Sequence, residues 1–198
     1  MNNIAFVIGN GTSRKGLDLN HLCNNGTVIG CNALYRDFMR WDVLVAIDDG
    51  MIEEVLPLMK SLDDDRLQRV VVPPSEERWE DPEYSPTTRR RSNAGMNAMI
   101  EAIRSGHNIL YCLGFDFILE GDISTDNLYK NSKNYGPETH AREEDNYYRI
   151  KYLEWFCNKY SDTKFVFVIP DNAKTKPVEA ENLVGMTMST FKTKLGVT

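Results

Sequence analysis

Residues 4–14 read Ile4-Ala5-Phe6-Val7-Ile8-Gly9-Asn10-Gly11-Thr12-Ser13-Arg14. Five apolar residues run straight into glycines and small hydroxyl residues. A short buried strand ending this way is how an open α/β sheet begins a phosphate- or nucleotide-binding turn. The glycines allow positive φ and let backbone N–H groups approach a ligand without an intervening Cβ. Asn10, Thr12 and Ser13 add side-chain donors and acceptors. No third glycine follows at dinucleotide-fingerprint spacing, and no Gly-Lys-Ser/Thr makes a P-loop. The plainer reading is a tight strand-to-loop turn with Asn10 at a strained backbone position.

The same pattern recurs outward from this turn. Thr27–Cys31 is a second apolar run and ends at Asn32, which also suits a cap on the following turn. Residues 42–47 form a third, followed by Asp48, Asp49 and Gly50. Asp48 can serve a ribose hydroxyl, a metal ion or the N-terminus of a helix over 51–60, and these roles overlap. Residues 67–72 and 108–113 are further strands, the latter leading to Asp116. Residues 164–169 are the last strand, ended by Pro170, Asp171 and Asn172. Polar tips at Asn10, Asn32, Asp48, Asp116 and Asn172 place a ligand crevice along one sheet edge.

Two long polar stretches interrupt this order. Residues 73–91 hold four prolines, many charges and two aromatics, Trp79 and Tyr84, so they cannot be regular throughout. Connections of this length serve as lids or binding loops, or are disordered. Arg89, Arg90 and Arg91 close the stretch, just before a helix over 94–105 that Ser92 or Asn93 would cap. Three cations before a helix start make a natural anion site, and equally a solvated run paired with upstream acids. Residues 119–141 form the second loop, with His140 near its end. The most periodic helix, 143–160, follows.

The 198 residues are 41% hydrophobic, enough for one substantial core. The expected layout is an α/β nucleotide-binding domain over 1–170 and a tail over 171–198. That tail would carry a short helix packed on the body or on a partner subunit. The fold class is a Rossmann-like, doubly wound, mostly parallel sheet, with long loops over the C-terminal strand edge. A net charge of −6 and a pI of about 5.2 argue against generic nucleic-acid affinity. No apolar run is long enough for a signal peptide or a membrane span, and Cys23, Cys31, Cys112 and Cys157 form no CxxC. The expectation is a cytoplasmic protein with reduced thiols and no structural zinc.

Taken together, VIGNGTSRKGLDL, VIGCNALYRDF, VAID, the SNAG helix start and LYCLGFDF, followed by a histidine-bearing loop, resemble the bacterial sialyltransferases of lipooligosaccharide outer cores. The same order is similar to a related group, the 6-hydroxymethylpterin pyrophosphokinases and motility accessory factors. Small phage proteins of unassigned function carry the same order, and the chain resembles those most, which would place it in a host cytoplasm. The resemblance covers roughly residues 4–169 and speaks more for fold than for substrate.

This resemblance implies a nucleotide-sugar donor held by Gly9, Asn10, Gly11, Ser13 and Asn32, to which the reading of the turn and the strand ends adds Thr12 and Asp116. It also implicates the helix start at Asn93, Ala94 and Gly95. His140 maps to the catalytic base and Asp48 to the polar residue after the third strand. Arg89, Arg90 and Arg91 would stabilise the departing phosphate. The family's phosphate-binding tyrosine is Ile118 in this chain, so that role passes to Tyr129, Tyr135 or the arginines. Where the family has an asparagine, this chain has Asp48, an acid suited to holding magnesium on a nucleoside triphosphate. Three readings follow: a glycosyltransferase-like enzyme, a magnesium-dependent pyrophosphoryl or nucleotidyl transferase, and a non-catalytic nucleotide-binding protein. No resident cofactor is implied beyond the donor. The tail and the helix over 143–160 leave apolar surface suited to a homo-oligomer.

Overall fold

The computed structural model describes residues 3–59, 68–78 and 90–196. Its core is one sheet of β1 (Ile4–Ile8), β2 (Thr27–Cys31), β3 (Val43–Val45), β4 (Arg69–Val71), β5 (Ile109–Leu113), β6 (Lys164–Ile169) and β7 (Leu183–Thr187). The spatial order is β4-β3-β2-β1-β5-β6-β7, and every pairing is parallel. The chain thus winds outward from β1 in one direction, then returns to its other side at β5. That reversal is the topological switch point of a doubly wound sheet.

Parallel strands covered on both faces read as unbroken apolar runs, which is why β1, β2, β5 and β6 are legible in the sequence. Successive side chains in β1 go to opposite faces. Ala5 and Val7 pack with α3 (Ala94–Arg104) and α4 (Glu143–Lys159). Phe6 and Ile8 face the other core, with α1 (Asp49–Met59), the turns of residues 12–38, and Phe191 of α5 (Met188–Leu195). The remaining helix, α2 (Ser75–Arg78), is a single turn after β4. α3 starts where expected, because the Asn93 side chain accepts the Met96 N–H at 2.9 Å.

The segment from 171 onward carries more than a short helix. It supplies β7, an edge strand beside β6, and α5, which ends at Gly196 with φ 72°. Phe191 is wholly buried against Phe6 and Tyr111, with ring centroids 6.1 and 5.6 Å away. The Asn182 amide donates to the carbonyls of Cys157, Tyr160 and Thr163 at 3.0, 3.0 and 2.8 Å, tying the end of α4 to the start of β7.

Residues 79–89, including Trp79, Tyr84 and Arg89, lie outside the described residues. All four cysteines are free, with Cys31, Cys112 and Cys157 buried. Burial pushes the Cys31 thiol up to about 12. Among the described residues no helix is long and apolar enough to cross a membrane.

Candidate functional site

The turn after β1 is stitched to the end of β5. The Gly9 N–H donates to Leu113 O at 2.7 Å and the Gly11 N–H to Gly114 O at 3.0 Å. A Cβ on Gly9 would stand 2.5 Å from Gly114 O, and one on Gly11 would stand 2.3 Å from the Asp116 carboxyl carbon. The two glycines therefore serve close approach, not left-handed backbone. The strained position is Asn32, at φ 46°, rather than Asn10. Asparagine tolerates this conformation better than most residues.

Around this seam opens a cavity of about 700 Å3, within the range of small-molecule sites. It sits at the carboxyl ends of β1, β2, β3 and β5, beside the switch point. Gly9, Asn10, Gly11, Asn32, Asp48, Asp116, Arg91, Asn93, Ala94, Gly95 and His140 all line it. The structure thus brings together most of the residues singled out from the sequence. Thr12 and Ser13 are not in the lining; they belong to a 3-10 turn behind the wall. Arg90 places its guanidinium 5.6 Å from the Trp155 ring centroid, away from the cavity. Asn172 is exposed in the turn after β6.

The lining carboxylates are held, not loose. The Asp116 carboxylate, 4% exposed, accepts the Ser13 N–H at 2.9 Å and also the Ser13 hydroxyl. Burial raises its pKa; the Ser13 bonds and the Arg14 charge oppose the rise. Asp48 accepts the Asn32 amide at 2.5 Å, while Asn32 Oδ1 accepts the Ile47 N–H at 3.3 Å. Burial raises the Asp48 pKa, against the pull of the Asn32 bond, and Asp49 adds to the rise.

The far wall comes from the loop between β5 and α4. Arg14, buried at 3% exposure, anchors it. Arg14 Nε donates to Gly9 O at 2.8 Å, Nη1 to Asp37 at 3.1 Å and Nη2 to the Tyr129 hydroxyl at 2.8 Å. Arg36 lies over the rings of Tyr129 and Tyr135, at 5.9 and 5.6 Å, and bonds Glu54 of α1 at 2.5 Å. Asn134 donates to Gly50 O and to Glu54 at 2.9 and 2.8 Å. Of the two tyrosines offered for phosphate, Tyr135 lines the cavity and accepts the Asn10 amide at 3.0 Å. Tyr129 is outside the lining and bound to Arg14 and Asp37. Burial raises both phenol pKa values, so both are neutral near pH 7.

His140 closes this wall. Its Nε2 is shielded from solvent and has no hydrogen-bond partner among the described residues. An orphaned buried polar atom is uncommon, since leaving its hydrogen bond unmade costs about 1–3 kcal/mol, and one in the wall of a cavity is a candidate ligand contact. Next to it the first turns of α4 contribute Arg142, Asp145 and Arg149, none of them singled out from the sequence. Their signal was present as polar positions 142, 145 and 149 at helical spacing. Only the packing of α4 shows that this stripe faces a cavity. Among the described residues no group of three or more His, Cys, Asp or Glu side chains could hold a metal ion.

No family model matches the chain, and no curated protein is similar to it in sequence. The fold is shared with solved structures. The sialyltransferase CstII from Campylobacter jejuni, solved with the substrate analogue CMP-3FNeuAc, aligns at a TM-score of 0.53 and 16% identity. That alignment covers 97% of this chain and 98% of the enzyme's. A point mutant of the same α-2,3/8-sialyltransferase aligns at 0.50 and 16% identity, over 96% of this chain and 99% of that one. At such identity the likeness establishes a shared α/β architecture over nearly the whole chain.

Proposed function

We propose that this protein is a glycosyltransferase-like enzyme that uses a nucleotide-sugar donor, with His140 as general base. The observation that carries the reading is the orphaned Nε2 of His140, in the wall of a switch-point cavity of cofactor size. A buried imidazole nitrogen without a partner is a free acceptor for the proton of a substrate hydroxyl. The solved neighbour of the same fold was crystallised with a CMP-linked sugar analogue, which supports a donor of that class.

In this reading the nucleotide lies along Asn10, Asn32 and Asp48, whose side chains supply donors and acceptors at three strand ends. The acceptor hydroxyl meets His140. Nε2 takes its proton as the oxygen bonds to the anomeric carbon. The bond from that carbon to the phosphate oxygen breaks, and the nucleoside mono- or diphosphate leaves with the electron pair. Arg91 at the start of α3, together with that helix N-terminus, offsets the charge on the departing phosphate. Tyr135, with its proton free to donate, is the second group in reach.

The test is turnover of CMP- and UDP-sugars, with and without magnesium, by the full chain and by His140→Ala. The expected result is a loss of about 10²–10⁴ in kcat for the variant with donor affinity unchanged. Turnover that survives in His140→Ala overturns the role of the histidine. Binding that requires magnesium and is lost in Asp48→Ala would favour pyrophosphoryl or nucleotidyl transfer instead. Tight binding without turnover of any donor would leave a nucleotide-binding protein.

A further inference from the structure

Arg149 has a role that the donor and base assignments leave out. Only one of its guanidinium nitrogens is hydrogen-bonded among the described residues. Nη1 donates to Asn146 Oδ1 at 3.0 Å. Asn146 is wholly buried, and its amide is fixed by Ser124, at 3.1 Å to the carbonyl and 3.3 Å to the hydroxyl. The guanidinium is therefore held in one orientation. Nε is shielded from solvent and unpartnered. In a guanidinium, the Nε–H and one Nη2–H point the same way and form the fork that grips two oxygens of one carboxylate or phosphate. In Arg149 the bonded nitrogen is Nη1, so this fork is the edge left without a partner.

The immediate neighbours of Arg149 favour an anion, while Asp48, Asp116, Asp126 and Glu138 line other parts of the same cavity. Arg149 lines the cavity together with Arg91 and Arg142, and the one carboxylate of α4 that lines it with them is Asp145. Asp145 is committed to Arg91, at 2.5 Å. The Arg91 N–H bonds Tyr148 O at 3.1 Å, which fixes Arg91 beside Arg149. Burial lowers the Arg149 pKa, and the neighbouring Arg91 charge lowers it further, while Asp145 raises it. A second cation held close to a first, with one acid between them, leaves a net positive charge that an oxyanion would neutralise.

We propose that Arg149, seconded by Arg91, forms an oxyanion subsite that grips a phosphate or a carboxylate of the substrate through the Nε/Nη2 edge. This rests on the donor reading for what enters the cavity, but not for the existence of the subsite. Two substrate groups share this chemistry: the phosphate of the leaving nucleotide and a carboxylate on a transferred or accepting sugar.

The experiment compares matched probes by calorimetry on the full chain: CMP against cytidine, and N-acetylneuraminate against its methyl ester. The wild type is expected to prefer the charged member of one pair at least tenfold. Arg149→Gln should abolish that preference and leave the uncharged probe unaffected. Arg149→Lys, which keeps the charge but lacks the fork, should fall between them. The pair that responds identifies the source. A preference that persists in Arg149→Gln, or none in either pair and none for inorganic phosphate, overturns the subsite. If nucleotides do not bind but inorganic phosphate does so in an Arg149-dependent way, the donor reading falls and the subsite stands. Should Arg149→Gln fail to fold, the Nε–H resonance of Arg149 in the 15N-labelled wild type decides. It should shift with the charged probe alone, and a resonance unmoved by every anion rejects the proposal.

Discussion

Asn32 and Asp48 show how one residue pair can set both strain and charge at a strand end. Asn32 takes φ 46° so that its amide reaches Asp48 and its carbonyl oxygen accepts the Ile47 N–H. The Asp48 carboxyl is consequently buried with a single neutral donor, and burial wins, raising its pKa above the ordinary 3.8. The stability consequence has a definite sign. Below pH 3.8 the carboxyl is protonated in both folded and unfolded chains, and the linkage vanishes. As pH rises through the window between 3.8 and the raised folded value, the unfolded chain loses a proton that the folded one keeps. Stability therefore falls with rising pH across that window and is level above it. Asp48→Asn removes this dependence. Urea unfolding of both proteins from pH 3.5 to 7 should show the variant gaining on the wild type as pH rises. A difference that stays constant, or shrinks, would show that Asp48 is not desolvated in the folded chain.

At the scale of elements, the site depends on two segments far apart in sequence being held as one wall. The turn after β1 and the loop before α4 meet through Arg14, which spans Gly9 O, Asp37 and Tyr129. Ser13 and Asp116 add a second tie across a separation of 103 residues. Arg14→Met keeps the apolar stem of the side chain and deletes all three bonds. Hydrogen bonds to a charged group contribute about 1.5–3 kcal/mol each where buried, but Asp37 is partly exposed. The two buried bonds put the expected cost at about 3–6 kcal/mol by chemical denaturation. Amide exchange should also quicken across residues 128–135, because Tyr129 loses its anchor. A loss under about 0.5 kcal/mol would mean that the loop is held by Arg36, Glu54 and Asn134 alone.

For the molecule as a whole, the sheet is completed from its far end. β7 lies at the edge beside β6, and the helix after it returns Phe191 to the core under β1 and β5. The last residues of the chain thus brace the two strands whose ends form the seam at Gly9 and Gly114. Phe191→Ala should cost about 3–5 kcal/mol, as for other large aromatic truncations in a closed core. Urea unfolding followed by both far-UV circular dichroism and tryptophan fluorescence would test this. A single transition shifted by that amount is expected. A cost below about 1 kcal/mol, or an early transition confined to the end of the chain, would place α5 outside the cooperative unit.

The sequence by itself determined the order of six strands, the three long helices and the polar tips at Asn10, Asn32, Asp48 and Asp116. Each of these is local: a strand covered on both faces must be apolar throughout, and a helix start needs its cap within three residues. β7 was not legible, because an edge strand is half exposed and holds Gly185, so it carries no continuous apolar run. Nor could the chain alone distinguish Tyr135, which lines the cavity, from Tyr129, which braces it, or show that Arg91 and not Arg90 turns inward. For the same reason the strand-end asparagine with left-handed backbone is Asn32 and not Asn10. Only tertiary contact decides these, since each depends on what a residue a hundred positions away brings to the same strand end. The clearest case is Arg149, an ordinary polar position on a helix until the fold buries its Nε, which has no hydrogen-bond partner among the described residues.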